Sequence, residues 1–131
     1  MMSKVPRVVL VGAAGIIGFD VLASLASRAI DFPYVDATPG SLLIYGIVGF
    51  AIGRLAPVRY AIAGVVAVGI VEATIGWCLS WIIGPGRPMS GIVDPTQAFK
   101  VVVSVIVVAA IIGAAAGAMG RSHPYPGAPA A

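Results

Sequence analysis

Charged residues are scarce in this sequence of 131 residues. Lys and Arg number 8 and Asp and Glu number 5, so charged residues make up 10% of the chain. An ordinary soluble domain carries about 25%. Hydrophobic residues make up 60%, and the mean hydropathy is +1.05. A soluble fold of this length cannot hide so much apolar surface, so the composition predicts an integral membrane protein.

The chain also lacks the residues and motifs that several classes of function require. The single cysteine, Cys78, excludes an internal disulfide, and the single histidine, His123, excludes a histidine cluster. The net charge of +3 comes from scattered residues, so no nucleic-acid partner is predicted. No nucleophile–base pair, phosphate-binding loop or dinucleotide motif is visible. We therefore expect no enzyme activity, no cofactor and no metal.

Long apolar runs, separated by short segments rich in proline, dominate what is present. A helix rises about 1.5 Å per residue and a bilayer core is about 30 Å thick, so such runs are long enough to cross it. The sequence predicts an all-α, four-helix membrane bundle. Its parts are a cytoplasmic head over 1–7, a single transmembrane domain over 8–119 with spans at 8–30, 41–56, 58–83 and 98–119, and a disordered, Pro-rich tail over 120–131.

Basic residues are divided unequally between the two ends of such a bundle. Positions 4, 7, 54, 59 and 121 fall at one end, and positions 28, 87 and 100 at the other. The positive-inside rule then places both termini in the cytoplasm. We predict a multi-pass protein of the plasma (inner) membrane. An alternative is that the first run is a cleaved signal peptide, but the run is too long and Asp20 does not suit its apolar region.

Two weak self-similarities indicate an internal repeat. At an offset of 52, Arg7 matches Arg59 and Asp20 matches Glu72. At an offset of 67, glycines and an arginine of the second and fourth runs match. One interpretation is two tandem helical hairpins related by a pseudo-twofold axis along the membrane normal. The other is chance similarity in a chain with 17 glycines.

Glycine spacing predicts close helix packing. Gly49 and Gly53 form one GxxxG pair, and Gly113 and Gly117 form another. In lipid, small residues let helices approach closely and gain van der Waals contact. We expect these faces to serve mainly internal packing, with contacts between copies of the chain as the alternative.

Two acids lie deep within predicted spans. Asp20 and Glu72 fall about 18 and 21 Å from the starts of their helices, at nearly the same level. A charged carboxylate that faces lipid at that depth costs at least about 2.5–3.5 kcal/mol. Both should therefore face the bundle interior, a partner or a wet cavity.

Polar residues at helical spacing extend from these acids towards the predicted outer ends of the helices. They predict a polar pocket for an ion or a proton that should open outward, with Asp20 and Glu72 at its floor. The further members of this pocket are Ser24, Arg28, Tyr45, Ser80, Lys100 and Ser104. Two alternatives are that the acids are protonated and hydrogen-bonded inside the bundle, or that they pair with a cation on another subunit.

These features support two functional hypotheses. The first is a small proton- or cation-coupled transporter, or a channel-like protein, that acts as a homo-oligomer and uses Asp20 and Glu72. The second is a non-catalytic subunit or assembly factor of a larger membrane complex, in which the acids and glycine faces are contact points. In both, the lipid bilayer is the immediate partner.

Overall fold

The computed structural model describes residues 4–87 and 91–126, and most of them are helical. A short 3-10 turn, Tyr34–Ala37, precedes the second helix, and a π-helical turn, Glu72–Gly76, separates the third from the fourth. The helices are α1 (Val5–Ile30), α2 (Thr38–Gly53), α3 (Val58–Val71), α4 (Trp77–Ile83) and α5 (Pro95–Arg121).

Four helical segments are long and apolar enough to cross a membrane: Val5–Ile30, Tyr34–Gly53, Val58–Ile83 and Pro95–Arg121. Large apolar side chains point outward, and Leu10, Leu22 and Ile111 are each more than 60% exposed. Such a surface suits lipid rather than water. The prediction of an all-helical structure with four helices long and apolar enough to span a membrane is confirmed, whereas the pseudo-twofold repeat stays a prediction.

Three helices begin three residues earlier than the sequence predicts. The reason is the same in each, because Pro6, Pro39 and Pro95 lie in the first helical turn. Proline is tolerated there, since the first turn has no internal acceptor for its missing N–H. Asp94 completes the start of α5, where its Oδ1 accepts the backbone N–H of Thr96 at 2.9 Å.

The third span is interrupted at its acid. Glu72 opens the π-helical turn, and the backbone N–H of Trp77 donates to the Glu72 carbonyl five residues back. Nearby, the Thr74 hydroxyl donates to the Ile70 carbonyl at 2.6 Å and so competes for the helical acceptors. Single π-helical turns occur frequently at functional sites.

The helices α2 and α3 form a central pair. Helix α1 packs on one side of this pair and α5 on the other, and within the described residues α1 and α5 make no contact. Buried aliphatic side chains fill the centre between α1, α2 and α3, among them Ile16, Val48, Ile52, Val65 and Val68. The result is a bundle with a rhombic cross-section rather than a square one.

Glycines bring α5 into backbone contact with α2 and α3. A Cβ added at Gly53 would overlap the Gly117 carbonyl oxygen, and one added at Gly49 would lie 3.4 Å from the Gly113 Cα. A Cβ at Gly113 would lie 2.9 Å from the Ile62 Cα on α3. All four glycines of the predicted packing pairs therefore lie at contacts between helices of the same chain.

The bundle has two distinct ends. The loop end carries the α1–α2 and α4–α5 connections, and the termini end carries the start of α1, the α2–α3 turn and the end of α5. For residues 120–126 the sequence predicts disorder, but the structure continues α5 to Arg121 and packs the following residues against Arg54. The Arg54 Nε donates to the His123 carbonyl at 2.8 Å, and the Arg54 guanidinium lies 4.4 Å from the Tyr125 ring centroid. The rest of the predicted tail, 127–131, lies outside the described residues.

Candidate functional site

The two acids lie against the same glycine. Asp20, on α1, is only 3% exposed, and Glu72 is half-buried on the π-helical turn. A Cβ added at Gly76 would lie 3.1 Å from the Asp20 Cγ and 3.7 Å from the Glu72 Cγ. Gly76 thus leaves the space that the Asp20 carboxyl occupies. The two residues whose depths match in the sequence are brought together in space.

Each acid accepts a hydrogen bond from a tyrosine hydroxyl of the second span. The Tyr45 hydroxyl donates to Glu72 Oε2. The Tyr34 hydroxyl donates to Asp20 Oδ1 at 3.4 Å, a long hydrogen bond. Tyr45 is among the residues predicted from the sequence, whereas Tyr34 is not. No helical spacing identifies Tyr34, because it lies in the 3-10 turn that precedes α2.

One oxygen of Asp20 stays without a partner. Within the described residues, Asp20 Oδ2 and the hydroxyl of Ser24 one turn later are buried and accept or donate no hydrogen bond. Leaving a buried polar atom unpaired costs about 1–3 kcal/mol. A species that brings a positive charge or a proton to this oxygen would offset that cost.

A cavity of about 480 Å³ connects the acids to the loop end of the bundle. It begins at the turn before α2 and extends between α1, α2 and α5. Polar side chains cluster on its walls, and aliphatic ones complete it. The polar lining residues are Asp20, Tyr34, Thr38, Ser41, Tyr45, Glu72 and Ser104.

Four of the predicted pocket residues do not line this cavity. Ser24 is buried beside it, and Lys100 is exposed near the start of α5. Arg28 donates to the Ile83 carbonyl at 3.0 Å, at the loop end. Ser80 donates to the Trp77 carbonyl at 2.8 Å.

The π-helical turn explains the position of Ser80. An extra residue in a helix rotates everything after it by about 100°, so the i+8 spacing from Glu72 no longer marks one face. Arg28 and Lys100 lie near helix ends, where long basic side chains reach the interface rather than the interior.

The cavity ends at a layer of packed aliphatic side chains. Ile16 precedes Asp20 by one turn, Val68 precedes Glu72 by one turn, and Val48 follows Tyr45 by about one turn. All three are at most 4% exposed. The polar space is therefore open towards the loop end and closed towards the termini end.

This arrangement suits a small cationic species. Two carboxyl groups provide negative charge, two phenols provide hydrogen bonds and aromatic surface, and the surroundings are apolar. Within the described residues, no group of three or more His, Cys, Asp and Glu side chains comes together to hold a metal ion.

Comparison with protein-family models, with curated proteins and with solved structures finds no match for this chain. A four-helix bundle hosts many unrelated functions, so function has to be argued from the chemistry of the site.

Proposed function

We propose that the protein is a small multi-pass carrier that binds a proton or another small cation at Asp20 and Glu72. The observation that carries the proposal is the meeting of two membrane-embedded acids at the floor of a cavity that is open to one end. Ionisable residues within membrane spans mark ion and proton pathways in many transporters. We place the carrier in the plasma (inner) membrane with both termini cytoplasmic, so that the cavity opens outward.

The closed aliphatic layer favours a carrier over an open channel. A pore requires a continuous polar path, whereas Ile16, Val48 and Val68 seal the cavity below the acids. A carrier needs this asymmetry, because its site opens to one side at a time.

The acid–tyrosine pairs provide a route from cation binding to conformational change. Two negative charges in a low-dielectric site repel each other strongly, so a proton or cation that neutralises one of them binds favourably. Binding also alters the acceptors available to Tyr34 and Tyr45. Both hydroxyls belong to the second span, and both acceptors lie on other spans. The charge state of the acids therefore controls contacts between helices.

We further propose that the carrier works as a homo-oligomer. Four helices enclose little volume, and a second copy would enlarge the pathway. The outward face of α1 supports this, because a Cβ added at Gly15 or Gly18 meets no atom within 4 Å. Small exposed residues allow another helix to approach closely.

The test is ion flux in proteoliposomes. A pH-sensitive dye is enclosed, and proton movement is followed under imposed Na⁺, K⁺ and pH gradients. We expect flux above that of empty vesicles, and its loss in Asp20→Asn and in Glu72→Gln. Asp94→Asn is the matched control, because it removes one exposed acid outside the cavity and keeps a good helix cap. Absence of wild-type flux, or equal flux in the acid variants, would contradict the proposal.

A second candidate is a subunit or assembly factor of a larger membrane complex. The connections of the described chain are short, such as residues 54–57 between α2 and α3. A partner protein would therefore contact mainly the surfaces of the helices. Mild detergent extraction from native membranes, native-gel sizing and mass spectrometry of co-migrating proteins distinguish the two. A lone chain or small homo-oligomer favours the carrier, and stable co-migration with other proteins favours the subunit.

A further inference from the structure

A second, unrelated cavity lies at the termini end. It is a groove of about 820 Å³ along the outer face of α2, between the start of α1 and the end of α5. We call it the α2 groove. Its walls are largely apolar and include Val8, Leu43, Ile47, Phe50 and Met119.

The end of the α2 groove is basic. Among the described residues, Lys4, Arg7 and Arg54 line it and no Asp or Glu does. The five acids of the chain are at positions 20, 31, 36, 72 and 94, in the middle of the bundle or at the loop end. The groove thus combines apolar walls with a basic end, where the described residues place no Asp or Glu.

Arg54 is held in place by the residues that follow α5. Its Nε donates to the His123 carbonyl, and its guanidinium stacks on Tyr125, which also lines the groove. Within the described residues its two terminal nitrogens make no hydrogen bond. A guanidinium fixed in this way is suited to the oxygens of a phosphate group.

A smaller crevice adjoins the α2 groove. It has a volume of about 400 Å³, lies between α1 and α2, and is almost entirely apolar. We call it the α1–α2 crevice. The two share Arg7, Val8, Ile47 and Ala51, so two apolar channels meet beneath one basic side chain.

We propose that these two cavities bind one anionic diacyl phospholipid. Its phosphate lies among Lys4, Arg7 and Arg54, one acyl chain follows the α2 groove, and the other enters the α1–α2 crevice. Charge complementarity selects a headgroup without an ammonium group, because an added cation would face three basic side chains. This site is separate from the acid pair, so either proposal can fail without the other.

The first test measures lipid selectivity by native mass spectrometry of the purified protein in detergent. Phosphatidylglycerol and phosphatidylcholine with the same acyl chains are titrated in parallel. We expect one phosphatidylglycerol to bind each chain more tightly than phosphatidylcholine does. Arg54→Gln should weaken phosphatidylglycerol binding by about five-fold, the factor that corresponds to about 1 kcal/mol per basic side chain near an anionic surface.

Arg59→Gln is the matched control. Arg59 is exposed at the same end of the bundle but lines neither cavity. We expect its loss to leave phosphatidylglycerol binding unchanged within two-fold. Equal losses in the two arginine variants would overturn the proposal, because they would show diffuse attraction to the basic end. Equal affinity for the two lipids would overturn it as well.

The second test fills the α2 groove. A Cβ added at Gly46 meets no atom within 4 Å, so Gly46→Leu should leave the fold intact while its side chain occupies the floor of the groove. Circular dichroism and monodisperse elution check the fold. We expect phosphatidylglycerol binding to fall by ten-fold or more. Unchanged binding, or full competition by glycerol 1-phosphate, would show that the headgroup alone is recognised and would refute the acyl-chain assignment.

Discussion

Replacement of Gly53 by alanine tests the closest helix contact in the bundle. A Cβ at Gly53 would overlap the Gly117 carbonyl oxygen and lie 2.8 Å from the Gly117 Cα, well inside ordinary van der Waals contact. Both obstacles are backbone atoms, which cannot rotate away. The helices α2 and α5 must therefore separate, and they lose contact that nothing in lipid replaces.

The size of the effect follows from a comparison with Gly46→Ala in the same helix. At Gly46 the added methyl group meets nothing, so only the gain in helix propensity remains, at most about 1 kcal/mol in favour of alanine. Gly53 is the last residue of α2, where this gain is smaller than in the helix interior and does not offset the clash. The remaining difference is the overpacking cost, about 1–3 kcal/mol. We expect Gly46→Ala to be neutral or stabilising and Gly53→Ala to be destabilising.

The assay is equilibrium unfolding in mixed micelles, with increasing mole fraction of sodium dodecyl sulphate and tryptophan fluorescence as the signal. Both variants are compared with the parent chain in one detergent at one concentration. If Gly53→Ala proved as stable as Gly46→Ala, the backbone contact between α2 and α5 would be refuted.

Three further predictions concern the site and the threading. Tyr45→Phe removes the hydroxyl that donates to the neighbouring acid, and should reduce proton flux in vesicles while costing about 1–3 kcal/mol in the same unfolding assay. Gly76→Ala should abolish flux, because its methyl group would displace the carboxyl on α1, whereas Gly46→Ala, which meets open space outside the acid cavity, should not. In a chain without its native cysteine, cysteines at Thr38 and Ser122 should react with impermeant reagent from opposite sides of the membrane. Labelling of both from one side would disprove four crossings.

The sequence is sufficient to predict the four spans and the matched depth of the two acids. Both follow from the 1.5 Å rise of a helix, which converts residue number into depth whatever the packing. Three helix starts are predicted too late because proline occurs both in loops and in the first turn of a helix. The position of Pro39 alone does not distinguish the two.

The surroundings of the acids were harder to predict. The direction in which each acid and its neighbours point depends on the rotation of the helix about its axis. The π-helical turn at Glu72 adds one residue and so changes this rotation, and no residue pattern predicts that turn. Tyr34 is separated from α2 by a change to 3-10 geometry, so a helical pattern begun at Ser41 does not include it. The depth of a residue along its helix is therefore predictable here, whereas the side of the helix on which it lies depends on local irregularities of the backbone.

The unequal packing of α1 and α5 has a consequence for biogenesis. Helix α5 fits against α2 and α3 through glycines and, within the described residues, does not contact α1, so its backbone contacts form among the last three spans. Helix α1 leaves the ribosome before the other three spans, so the neighbours of Asp20 are absent at that time. An ionised carboxylate there would oppose insertion by about 2.5–3.5 kcal/mol. The apolar side chains of α1 must offset this cost, because Asp20 reaches its neighbours Tyr34 and Gly76 only after they have been synthesised.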